Sequence, residues 1–227
     1  MRSSLAKPSL IDPRTRNAFG RSLRAWFRAN GRDLPWRRTR DPYRVLVSEL
    51  MLQQTQVSRV VGYYKRFVSR YPSLDAVAAE PPRRIEEAWQ GLGYYARARN
   101  LHRLARQVTR SSTGTLPSDP VALRALPGIG AYTAGAVASF AYERRAELVD
   151  TNVARVLRRV FAPNCDPKTA AGAKHIWALA RAALPRDGRT TWTHNQALME
   201  LGALVCTARS MDCPACPVRR NCLTARG

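Results

Sequence analysis

Apolar residues in this chain recur every three or four positions in short bursts, and proline or glycine cuts each burst off. Phe19, Leu23 and Phe27 mark the first burst, an amphipathic helix over 18–28 that Asn30-Gly31 ends. Asp41-Pro42 pairs an N-cap residue with a helix-starting proline and opens a second helix reaching Leu52. The polar run Gln53-Gln54-Thr55-Gln56 interrupts it, and Val57, Val60, Val61, Tyr64 and Phe67 then resume helical spacing. Further helices are predicted over 74–79, 85–89, 100–110, 121–125, 131–141, 153–161, 170–183 and 195–206, whereas residues 1–16 read as a loose basic arm. No run alternates with a period of two and no segment repeats. The fold class is therefore all-α, built of many short helices with short connections.

At 227 residues the chain can bury a sizeable core, as one large domain or two modest lobes. Its 38 Lys and Arg against 16 Asp and Glu give a formal net charge of +22. Such a charge calls for a polyanionic partner, nucleic acid before an acidic membrane surface, and argues against a binder of cationic small molecules. The longest uncharged stretch, 125–142, is broken by Pro127, Gly128, Gly130 and Gly135, whereas a spanning helix needs about 20 mostly apolar residues. The first residues carry no apolar signal core, so the expected location is cytoplasmic, with the nucleoid of a bacterium or archaeon.

Four of the five cysteines, Cys206, Cys213, Cys216 and Cys222, fall within seventeen residues with the spacing C-x6-C-x2-C-x5-C. In a reducing compartment that crowding points to metal and not to disulfides. Four thiolates on a loop hold either tetrahedral zinc or a 4Fe–4S cluster. Only Cys213 and Cys216 form a CxxC knuckle, where a zinc ribbon usually has two, which favours the cluster. Cys165 has no partner and reads as a small core hydrophobe.

Leu126-Pro127-Gly128-Ile129-Gly130 is a tight turn before a helix. On its glycines alone it is an ordinary helix–helix turn. With the charge and the preceding helix it reads as a hairpin whose Gly128 and Gly130 amides face a DNA phosphate. Two carboxylates stand out in a chain short of them. Glu49 lies among Val45, Leu46, Val47, Leu50, Met51 and Leu52; such surroundings desolvate a carboxyl, favour its protonated form and suit a general acid. Asp150 precedes Thr151-Asn152 and the next helix, where it fits an N-cap as well as a fixed catalytic carboxylate.

Taken together these residues resemble the helix-hairpin-helix DNA glycosylases that carry an iron–sulfur cluster, the superfamily of endonuclease III. The block 48–57, Ser-Glu-Leu-Met-Leu-Gln-Gln-Thr-Gln-Val, and the block 91–100, Gly-Leu-Gly-Tyr-Tyr-Ala-Arg-Ala-Arg-Asn, are similar to the adenine DNA glycosylase branch. The resemblance runs from about residue 32 to Cys222. It implies a central helical barrel with the hairpin at 38–145, and a second lobe of 1–37 plus 146–227 with the cluster loop at 206–222. Double-stranded DNA with a mismatched or damaged base pair would lie between them, the target base flipped into the cleft of a monomer. It also implies that Glu49 protonates the purine and handles the attacking water, while Asp150 stabilises the sugar cation, a division general to glycoside chemistry. Asn152 and Tyr132 would stand beside that site. Gln54 and Tyr94 would enter the base stack, with Leu92 in the same DNA-binding block. Gln196, Trp36, Arg37, Leu52 and Val57 would wall the base pocket, although the sequence alone favours ordinary core packing for Trp36, Leu52 and Val57.

Two departures from the pattern carry expectations. Lyase-competent relatives have a lysine two residues after the hairpin's last glycine; here Tyr132 stands there, and without an amine no Schiff base forms, so a monofunctional enzyme is expected. The sequence ends five residues after Cys222, where adenine glycosylases usually continue into a domain that reads 8-oxoguanine, so weaker opposite-base discrimination is expected. The short mismatch glycosylases that remove thymine or uracil opposite guanine share the Tyr132 feature and are the alternative within the superfamily. A non-catalytic basic DNA-binding metalloprotein is the alternative of another class.

Overall fold

The structure is a computed structural model that describes residues 10–111 and 114–226. Eleven α-helices and two short 3-10 turns account for its regular structure, and among the described residues no strand forms beyond an isolated bridge between Cys206 and Met211. The all-α class follows directly. No helix of the described residues is long and apolar enough to cross a membrane.

Contacts gather the chain into two compact units, one of residues 33–146 and one that joins the chain up to Arg32 with Glu147 onward. In the 33–146 unit, α2 (Pro42–Leu52), α3 (Val57–Arg70), α4 (Leu74–Ala79), α5 (Pro82–Ala88), α6 (Ala96–Thr109), α7 (Pro120–Arg124) and α8 (Ala131–Phe140) follow in order. α8 is buried from Thr133 to Phe140 and carries mostly small residues, so a neighbouring helix can approach it closely. α2 packs on α8 and on α3, and α4 packs on α6.

The other unit holds α1 (Pro13–Asn30), α9 (Thr151–Phe161), α10 (Ala170–Ala183) and α11 (Gly188–Leu204). Here α11 is the central element, packed by α1 and α9, with Phe19 of α1 edge-on to Phe161 of α9 at 5.0 Å. A buried Glu200 on α11 takes a bidentate pair from Arg32, which also donates its backbone N–H.

Aspartates set the helix starts. Asp12, Asp41, Asp119, Asp150 and Asp187 each accept a backbone N–H of the first turn they precede. Two of these caps correct the expected boundaries. Asp12 followed by Pro13 starts α1 at Pro13, so residues 13–16 are helical and not a loose arm; Met1–Ser9 lie outside the described residues. Asp187 accepts from the Thr190 amide at 2.7 Å and starts α11 at Gly188, two turns before Asn195, because the polar first turns hid the apolar period. α6 likewise begins at Ala96 instead of Asn100, with Arg97 turned inward and buried in its first turn.

Candidate active site and nucleic-acid interface

Every residue of α2 from Val45 to Met51 is buried, and Glu49 sits in the middle of that run, 3% exposed. The first turn of α8 brings Tyr132 against it, and the phenol donates to Glu49 Oε2 at 2.8 Å. Thr133 Oγ accepts from Gln53 Nε2 at 3.3 Å, tying the end of α2 to the same turn. The hairpin ahead of α8 is built for close approach. Gly128 has a φ of 77°, and a Cβ there would lie 2.6 Å from the Asn100 side chain, so only glycine fits. Gly130 is the N-cap of α8 without a side-chain cap, and nothing lies within 4 Å of where its Cβ would be. Backbone N–H groups at that end can thus meet a phosphate oxygen.

Gln54 and Tyr94 are both exposed and both hold left-handed backbone, with φ of 56° and 49°. Gly91 and Gly93 provide the positive φ that leads into Tyr94. Residues other than glycine adopt that region rarely, and such strain gathers at functional sites. Trp36 is buried and edge-on to Tyr64 at 5.4 Å, a core contact. Arg37, Leu52 and Val57 are half-buried around the start of this unit and the two ends of the Gln53–Gln56 loop. Leu92 has a buried side chain, and it is its carbonyl that takes part in the loop, accepting from Arg97.

In the other unit Asp150 caps α9, its Oδ1 accepting from the Val153 amide at 2.7 Å. Asn152 Nδ2 donates to Asp150 Oδ2 at 3.4 Å. Burial pushes the Asp150 pKa up and outweighs these hydrogen bonds and the nearby Arg155 charge. Arg155 in turn donates to Asn152 Oδ1 at 2.5 Å, to the Gly202 carbonyl at 2.7 Å and to the Cys206 carbonyl at 2.9 Å. A Cβ at Gly202 would lie 2.7 Å from Asn152 Cβ, so α11 comes against this asparagine only because it carries glycine there. Gln196 is buried on α11 beside Asn195.

Cys206, Cys213, Cys216 and Cys222 line a single cavity whose walls include Val156, Val160, Leu201 and Val218. Arg159 donates to Cys206 Sγ at 3.3 Å. Burial pushes the Cys216 and Cys222 thiols up, and the other sulfurs of the set add to it. Among the described residues no three His, Cys, Asp or Glu side chains converge as a single-ion site. Four thiols around one apolar cavity could hold a thiolate-bound metal group. Cys165 is half-buried elsewhere, its thiol toward the Gly172 carbonyl.

Arg97, Arg155 and Gly202 were not singled out from sequence. Only Gly202 left a signal, a glycine inside an otherwise strong helical pattern, which marks a close approach.

A glycine hairpin thus feeds a helix whose first turn buttresses an internal carboxylate. Residues 47–182 match the family described as HhH-GPD superfamily base excision DNA repair protein, and the chain belongs to that superfamily. It is 42% identical over 214 residues to the adenine DNA glycosylase of Rattus norvegicus, covering 90% of this chain and 41% of the relative. It is also 42% identical over 218 residues to the adenine DNA glycosylase of Mycobacterium tuberculosis, covering 94% of this chain and 69% of the relative. The chain thus spans about two fifths of the length of the mammalian relatives it matches. Among solved structures it is similar to a thermostable thymine-DNA glycosylase, with a TM-score of 0.85 and 30% identity over 94% of this chain and 97% of that one.

Proposed function

We propose that this chain is a monofunctional DNA glycosylase of base excision repair, a monomer that hydrolyses the N-glycosidic bond of adenine mispaired with 8-oxoguanine or guanine in double-stranded DNA. The observation that carries the reading is the buried Glu49 held by the Tyr132 phenol, at the position where a lyase would need an amine. The adenine relatives at 42% identity support the choice of base.

In this reading Glu49 gives its proton to a ring nitrogen of the flipped adenine. The C1′–N9 bond then breaks, and its electron pair leaves with the base. Asp150 faces the sugar cation as a carboxylate, with Asn152 holding one of its oxygens. Water adds at C1′ and returns a proton to Glu49, so the acid is regenerated and an abasic site remains. Gln196 offers a donor and an acceptor to adenine's N7 and exocyclic amine, whereas the corresponding edge of thymine presents a carbonyl and a methyl and satisfies only the donor half; a half-satisfied buried amide costs about 1–3 kcal/mol. Cys206, Cys213, Cys216 and Cys222 would hold a 4Fe–4S cluster. When bound, it would cross-link a C-terminal loop that has little core of its own. Purified protein should be brown, with iron and no zinc by elemental analysis.

A second reading, removal of thymine or uracil opposite guanine, draws support from the likeness to the thymine-DNA glycosylase structure. Single-turnover base release from duplexes with A opposite 8-oxoguanine, A opposite G, T opposite G and U opposite G decides between them. Faster adenine release is expected; faster pyrimidine release overturns the adenine reading, and no release from any duplex leaves a non-catalytic DNA-binding protein.

A further inference from the structure

Arg97 is 6% exposed, and among the described residues no carboxylate pairs with it. Its charge is met by oxygen dipoles instead. Nη1 donates to the carbonyls of Leu50, Met51 and Gln53, at 2.9, 2.8 and 2.6 Å, all at the end of α2 or the loop beyond it. Nη2 donates to the carbonyls of Leu92 and Gly93, at 3.3 and 2.9 Å, in the glycine loop before α6. Thr55 Oγ accepts from both nitrogens at 3.3 Å. The guanidinium also lies over the rings of Trp89 and Tyr94, at 5.7 and 5.4 Å.

Two of these acceptors have particular positions. The Gln53 carbonyl belongs to the peptide leading into Gln54, and the Gly93 carbonyl to the peptide leading into Tyr94. Gln54 and Tyr94 are the two exposed residues held in left-handed backbone on these loops. That conformation costs of order 1–3 kcal/mol per residue unless its surroundings impose it. A single planar fork that binds the preceding carbonyl of each imposes both at once. Lysine has no such fork and could hold only one side.

We infer that Arg97 is the positioning residue of a two-part wedge: it locks the Gln54 and Tyr94 loops to one another so that both side chains meet the base stack together. The inference rests on the reading of Gln54 and Tyr94 as residues that enter the stack. Its consequence is selective. Extrusion of a stacked, paired adenine takes a few kcal/mol, and an adenine without a pairing partner needs less. Arg97 should therefore matter most where the wedge has the most to do.

The test compares single-turnover rates on adenine opposite guanine with rates on adenine opposite an abasic analogue, for wild type, Arg97→Met, Arg97→Lys, Gln54→Ala and Tyr94→Ala, each checked for a cooperative thermal transition. Arg97→Met should lose about 100-fold on the paired substrate, the scale of a small misplacement in a reacting complex. Its loss opposite the abasic analogue should be at least tenfold smaller, and Arg97→Lys should rescue little. Should Arg97→Met not fold, Thr55→Val, which removes the one side-chain acceptor both nitrogens share, should show the same selectivity with a smaller amplitude. Equal losses on both substrates, no loss, or full rescue by lysine overturn the role of Arg97. If Gln54→Ala and Tyr94→Ala are themselves unselective, it is the wedge reading that fails. A wild type that releases no base from either duplex overturns the proposed function itself.

Discussion

The two units place one candidate carboxylate each, and they do so by opposite means. Glu49 stands in the interior of a helix and is fixed by a side chain 83 positions along the chain. Asp150 stands at a helix start and is fixed by the amide of Val153, three residues away. Placement by tertiary packing leaves Glu49 buried in an apolar helix, an environment suited to a group that gives up and regains a proton. Placement by a cap leaves Asp150 aimed by its own backbone, suited to a group that stays put and acts through charge. Each unit also uses an arginine whose acceptors are mostly carbonyl and amide oxygens: Arg97 beside the loops next to Glu49, Arg155 beside Asn152. DNA binding by so basic a chain should weaken steeply as salt rises.

The sharpest way to break the comparison is to remove the proposed proton donor. Glu49→Gln keeps the shape and loses the proton, and single-turnover base release should fall about 1,000-fold while mismatch-DNA affinity stays within about threefold. Asp150→Asn should fall less, about 100-fold, since it removes a counter-charge and not a bond-making group. The wild-type pH profile should separate the two further. Burial raises the Asp150 pKa, and in the proposed mechanism the ionised form faces the cation, so activity should drop as pH falls through a value above an aspartate's ordinary one. An acid limb that survives unchanged in Asp150→Asn would assign it to another group.

Packing around the cap is the next target. Gly202→Ala brings a methyl to 2.7 Å from Asn152 Cβ, and a contact that tight must displace either α11 or the asparagine. A loss of about 1–3 kcal/mol in stability is expected, with a matching fall in rate if the asparagine is what moves. Chemical denaturation and single-turnover kinetics on the same variant tell these apart. Tyr132→Phe should be milder, about tenfold in rate, because it deletes one hydrogen bond to Glu49 and leaves the ring in place.

Much of this arrangement was legible in the sequence, for reasons that differ between the units. Caps, prolines and glycines act over three or four residues, so the helices and the Asp150 cap could be read from short windows. The Tyr132–Glu49 pair could not, because no local rule links positions that distant; only the family pattern pointed to both residues. Arg97 was hidden more thoroughly. Arg97, Arg99, Arg103, Arg106 and Arg110 look alike in sequence, and what buries Arg97 is the pair of loops whose carbonyls close over it. The early start of α11 was missed because Arg189, Thr190 and Thr193 carry no apolar period, while its Asp187 cap is a signal that could have been read.

The smallest effect expected runs against intuition. A carboxyl whose folded-state pKa is raised above its unfolded value stabilises the fold only at low pH, and that contribution is lost as pH rises through the raised value. When ionised, Asp150 carries its charge in surroundings that disfavour it, and that charge weakens the fold. Asparagine caps a helix as well as aspartate does and carries no charge to desolvate. Asp150→Asn should therefore melt slightly higher than wild type near neutral pH while being the poorer enzyme. The gap should close as pH falls below the raised pKa, where the wild-type carboxyl is protonated too. Thermal melts of both proteins across that range check it; an asparagine variant less stable at neutral pH would mean that the Arg155 charge and the capping bonds outweigh burial.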